Sequence, residues 1–115
     1  MKKLLAMVDD WERLERYEEK LISHFEVHCA PFADHGLEMA KADPPDYFLI
    51  DLVLGDMTAS EAMTAIHAMG LTGPAVVIID SQDAFADSQC RFLERPVPVD
   101  FVASYFIRGL HPANP

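Results

Sequence analysis

Carboxylates close two of the most apolar stretches in this sequence. Leu4-Leu5-Ala6-Met7-Val8 runs into Asp9-Asp10, and Tyr47-Phe48-Leu49-Ile50 runs into Asp51. Unbroken apolar runs of this length read as strands covered on both faces. In an open parallel sheet the carboxyl ends of the strands form the ligand crevice, best placed where the strand order reverses. Two such ends would gather three acids there. Carboxylates that close repel and raise one another's pKa unless a cation sits between them, so the chemistry to expect is cation binding.

Other reactive side chains form no comparable group. His24, His28, His35, His67 and His111 are scattered without metal-ligand spacing, and Cys29 and Cys90 are isolated. Neither a glycine-rich phosphate loop nor a nucleophile elbow is present. A formal net charge of −10 argues against nucleic acid, because a phosphate-binding surface needs clustered cations and here only Lys2 and Lys3 are adjacent. The first apolar run is too short for a signal peptide or a membrane span. With two unpaired cysteines, these features predict a soluble protein of the reducing cytoplasm, with no membrane contact. The 115 residues, half of them hydrophobic, fit a single domain over residues 1–115.

The elements that position the acids alternate in type. Residues 11–22 carry Trp11, Leu14, Tyr17 and Leu21 at helical spacing between charges, and packing rather than surface charge must hold this helix. Residues 25–30 alternate apolar and polar, the pattern of an edge strand. A second helix over residues 33–42, with Ala33, Leu37 and Ala40 on one side, is weakened by Gly36. Asp43-Pro44-Pro45-Asp46 is a stiff connector into the Asp51 strand. Thr58-Ala59-Ser60-Glu61 has capping-box form and opens a third helix to Met69, with Ala62, Met63, Ile66 and Met69 inward and Gly70 as its stop. Ala75 to Ile79 is the strongest buried strand, ending at Asp80-Ser81. Residues 81–94 must then hold a helix of barely two turns and a last strand, Arg91-Phe92-Leu93-Glu94. A final helix over residues 99–110 presents Val102, Tyr105, Phe106 and Leu110.

Five strands alternating with helices, acids after the first and third, and Arg95-Pro96 after the fifth resemble the receiver domain of two-component response regulators across nearly the whole chain. The resemblance implies a flavodoxin-like, doubly wound parallel sheet of order 2-1-3-4-5, here with a shortened fourth helix. It implies Mg²⁺, a hard cation suited to oxygen ligands, held by Asp10 and Asp51 directly, by Asp9 through water and by the carbonyl of Val53. Asp51 would accept a phosphoryl group from the phosphohistidine of a histidine kinase or phosphotransfer protein, with the metal lowering the charge barrier. Catalysis would be at most self-catalysed phosphoryl transfer to Asp51 and its hydrolysis. Output would pass through contacts with a downstream protein or through phosphoryl relay, since no output domain is expected, and a homodimer is a further partner to expect.

Several positions depart from the family pattern. The Ser or Thr that ends strand four in the family is Asp80, with Ser81 next. An inward Asp80 adds a fourth negative charge that opposes phosphorylation, whereas a one-residue shift would present the Ser81 hydroxyl. Arg95 stands in place of the lysine that pairs with the phosphoryl group, and its planar fork differs from an ammonium in reach. Gly55 replaces a frequent proline and Ala59 a frequent glycine. Phe92 matches the aromatic switch position and equally suits a partly buried strand residue. The competing reading is a receiver-like interaction module that is never phosphorylated, with Asp80 and Arg95 paired in the pocket; a plainer one has Asp10 merely capping the first helix.

Overall fold

The structure, a computed structural model, describes residues 1–53, 57–71, 73–79 and 90–108. In chain order its elements are β1 (Lys3–Val8), α1 (Trp11–Leu21), β2 (Glu26–Ala30), α2 (Ala33–Ala42), β3 (Tyr47–Asp51), α3 (Ala59–Ala68), β4 (Ala75–Ile79), β5 (Cys90–Glu94) and α4 (Val99–Ile107). The five strands are parallel in the order β2-β1-β3-β4-β5. β2 is therefore an edge, as its alternation predicts. The short helix expected between β4 and β5, together with Asp80 and Ser81, lies outside the described residues.

Side-chain alternation sorts the strands onto two cores. Leu5, Met7, Phe48, Ile50, Val77 and Ile79 face α2 and α3, where they meet Ala40, Ala62, Met63 and Ile66. Leu4, Ala6, Val8, Leu49, Val76 and Ile78 face α1 and α4, against Leu14, Tyr17, Leu21, Val102 and Phe106. Helices on both sides explain why β1 and β4 lack the apolar-polar alternation of a half-exposed strand.

The helices follow from local chemistry and burial. α1 begins where the Asp10 carboxylate accepts the backbone N–H groups of Glu12 and Arg13. Its exposed Glu12–Arg16 pair, at 3.9 Å, contributes at most about 0.5 kcal/mol. Burial of Leu14, Tyr17 and Leu21 contributes about 1.5–3 kcal/mol each and decides the matter. Trp11 does not join them. It is 63% exposed, at the first residue of α1 and three residues past the end of β1. α3 carries the complete capping box: Thr58 Oγ1 accepts from the Glu61 N–H, and Glu61 accepts from the Thr58 N–H. Gly70, just past its C-cap Met69, takes φ +78°, a left-handed conformation suited to glycine. In α4 the buried side chains are Val99, Val102, Ala103 and Phe106, with Tyr105 half-buried; Leu110 lies outside the described residues. Among the described residues no helix is long and apolar enough to cross a membrane.

Gly36, a weak residue for a helix interior, is required by packing. A Cβ at this position would stand 2.6 Å from Met7 Cγ and 3.2 Å from Ala30 Cβ, so α2 lies directly on β1 and β2 here. Gly36→Ala should therefore forgo the helix-propensity gain of about 1 kcal/mol. Overpacking against a fully buried methionine costs about 1–3 kcal/mol and should leave a net loss. The midpoint of chemical denaturation should fall; a raised midpoint would show that Met7 can rotate away.

Candidate functional site

β3 ends at the centre of the sheet, and register fixes what surrounds its last residue. Asp51 pairs with Val8 of β1 and Ile78 of β4, so Asp9 and Asp10 emerge beside it. Asp51 has the parity of Leu49, which directs its side chain to the face covered by α1 and α4. There it is fully buried, at 0% exposure. A lone buried carboxylate would cost many kcal/mol, so this one must be paired and hydrogen-bonded.

Three donors hold it. Arg13 Nε donates to Asp51 Oδ2 at 2.8 Å, and the Tyr17 hydroxyl donates to the same oxygen at 2.9 Å. Arg95 Nη2 donates to Oδ1 at 2.9 Å and to the Leu52 carbonyl at 3.0 Å. Arg13 is itself fixed, since Nη2 donates to the Tyr17 oxygen at 2.8 Å and to the Val97 carbonyl at 3.0 Å. Arg13 and Tyr17 are one helical turn apart on α1, so a single helix face delivers both. Burial lowers the pKa of Arg13, but the hydrogen bond and charge of Asp51 outweigh it and raise the net value. Tyr17 is pushed far above the ordinary phenol range, first by burial and then by the Asp51 charge. Among the described residues no buried side-chain polar atom lacks a hydrogen-bond partner.

The structure thus brings Asp9, Asp10, Asp51, Val53 and Arg95 to one end of the sheet. Asp9 Oδ1 accepts the Val53 N–H at 2.7 Å, tying the β1 and β3 ends together. Asp10 caps α1, as the plainer sequence reading held. Phe92 is partly buried and packs on the α2–α3 side, away from Asp51. Above the site a cleft of about 570 Å³ is lined by Asp10, Arg13, Val53, Arg95, Pro96, Val97 and Pro98. Asp51 does not line it. Sequence reasoning missed Arg13 and Tyr17, because it assigned the charges of α1 to solvent. The available signal was a tyrosine on the inward stripe, whose hydroxyl needs a partner, with an arginine four residues before it.

No protein-family model matches the sequence, and no curated protein matches it. Solved structures do. The chemotaxis protein CheY4 of Vibrio cholerae superposes with a TM-score of 0.77 at 20% identity, covering 96% of this chain and 99% of that one. A CheY-like response regulator receiver domain from Methanospirillum hungatei gives 0.74 at 20%, covering 94% and 92%. The receiver domain of the Francisella response regulator 1452 gives 0.77 at 13%, covering 94% and 95%. The chain has the fold of a response regulator receiver domain.

Receiver domains generally bind Mg²⁺, and the acids of this receiver fold can be tested against that ion. As arranged they do not fit it. Both Asp51 oxygens accept from cationic or hydroxyl donors, Asp10 Oδ1 caps α1, and Asp9 Oδ1 holds the Val53 N–H. Among the described residues no three His, Cys, Asp or Glu side chains converge as a metal site.

The raised Tyr17 pKa carries a pH dependence whose sign is fixed. The folded chain keeps a phenol proton that the unfolded chain releases near pH 10, so this stabilisation is complete below about pH 10 and lost as pH rises beyond it. Alkaline denaturation should be shallower in Tyr17→Phe. At neutral pH that variant should lose about 1–3 kcal/mol for a hydrogen bond to a charged group. Denaturation curves at pH 7 and above pH 10 read both effects, and parallel alkaline profiles would contradict the assignment.

Proposed function

We propose that this protein is a receiver-fold signalling module that works through protein contacts, with Asp51 as a structural keystone instead of a phosphoacceptor. The observation that carries this reading is the fully buried Asp51 carboxylate, held on both oxygens by Arg13, Tyr17 and Arg95. Attack on a phosphohistidine needs a carboxylate lone pair facing the donor. A donor entering the cleft meets two guanidinium groups instead. The sheet crest also offers a contact surface: Trp11, Phe32 and Val53 each follow the carboxyl end of a strand and are 63%, 64% and 49% exposed. On this reading the partners are proteins of a two-component system, a histidine kinase or phosphotransfer protein on one side and a downstream protein or second copy on the other. The chain acts as one domain in the cytoplasm.

A second reading keeps Asp51 as a phosphoacceptor with Mg²⁺ and self-catalysed hydrolysis. Arg95 on Oδ1 favours it, since this residue stands where the resemblance places the phosphoryl-pairing lysine. Arg13 would then have to leave Oδ2.

Incubation with Mg²⁺ and a small-molecule phosphodonor separates the two. Intact mass should show no adduct that depends on Asp51; an adduct present in the wild type and absent from Asp51→Asn would establish the second reading. Stability gives an independent sign. In an acid cluster awaiting a metal, Asp51→Asn relieves repulsion and stabilises. Here it removes the partner of two arginines. The full loss of about 3–5 kcal/mol for breaking a buried pair is reduced because their side chains are 24% and 21% exposed, leaving about 2–3 kcal/mol. A higher melting temperature in Asp51→Asn would sink the keystone role.

A further inference from the structure

We propose that Arg13 is the built-in cation of this pocket: it takes the charge-neutralising place of a divalent metal and closes the site to metal ions. The inference rests on the keystone reading of Asp51 and extends it to what the pocket binds.

The geometry is that of a bridge. Arg13 follows the acid pair by three residues, its backbone N–H lies 3.4 Å from Asp10 Oδ1, and its side chain reaches across to Asp51 Oδ2 at 2.8 Å. One residue thus touches an acid at the carboxyl end of each of β1 and β3, its backbone at Asp10 and its charge at Asp51, where a metal would be shared. Arg95 cannot fill this role, because it approaches the other oxygen from beyond β5. The guanidinium is also held in place by the Tyr17 hydroxyl and the Val97 carbonyl, at 2.8 and 3.0 Å. Three carboxylates and two guanidiniums leave one net negative charge among the described pocket residues, little to attract a divalent ion. A tethered arginine neutralises Asp51 at any metal concentration, so the pocket would not respond to Mg²⁺.

The test is metal affinity with and without the arginine. Mn²⁺ serves as the probe, read by electron paramagnetic resonance of the free ion and by quenching of Trp11, the sole tryptophan, next to Asp10. The wild type and Arg13→Lys should bind Mn²⁺ only weakly. Arg13→Gln should tighten Mn²⁺ binding by at least about tenfold, as expected when a cation beside the site is removed. Adding Asp51→Asn should abolish that gain. Equal Mn²⁺ affinity in the wild type and Arg13→Gln would overturn the proposal, and so would a folded Arg13→Gln that gains none. If Arg13→Gln melts in buffer, Mg²⁺ at constant ionic strength should restore its fold by binding the native state, and failure of that rescue would equally overturn the proposal. The phosphodonor experiment reads a covalent adduct on wild-type Asp51, so failure of the keystone reading and failure of this one give different signals.

Discussion

The pairing of Asp51 with Arg13 and Arg95 is the constraint on which the upper end of this sheet depends. A carboxylate at zero exposure in the middle of a parallel sheet has lost its water and must recover that loss from fixed donors. The donors come from α1 and from the residue after β5, and Arg13 also reaches the loop before α4 through Val97. One side chain therefore ties together the end of β3, the first turns of α1 and the entry to α4. The adjacent bond between Asp9 and the Val53 N–H closes the remaining gap between β1 and β3.

This arrangement separates fold from chemistry. The sheet order places β1 and β3 side by side, as in the receiver domains it superposes on, and their acids emerge together. The same backbone could support a metal-dependent phosphoacceptor or an ion-paired keystone. On the proposed reading, the side chain that approaches Asp51 Oδ2 from α1 selects between them. Here that side chain is an arginine, held by a tyrosine one turn further on.

The alternation of Leu4 to Val8 between the two cores, the edge position of β2, and the capping box at Thr58 and Glu61 were all legible in the residues, because each depends on neighbours close in sequence or on simple periodicity. Other features were not. Trp11 has the spacing of an inward residue but stands past the end of the strands, so helical periodicity misplaces it. Gly36 weakens α2 by propensity, and only the proximity of Met7 and Ala30 shows why no larger side chain fits.

By itself the sequence determined the alternating strands and helices, the two cores and the gathering of Asp9, Asp10 and Asp51, since hydrophobic periodicity and strand-end acids are local signals that a parallel sheet assembles in one way. Only the tertiary structure decided what neutralises Asp51. Arg13 and Asp51 are 38 residues apart, and Arg95 lies 44 residues beyond Asp51. No spacing rule connects them. Electrostatic pairing falls with distance in space rather than along the chain, so a charged residue read as solvent-facing in sequence can become the counter-ion of a buried one once α1 lies down on the sheet.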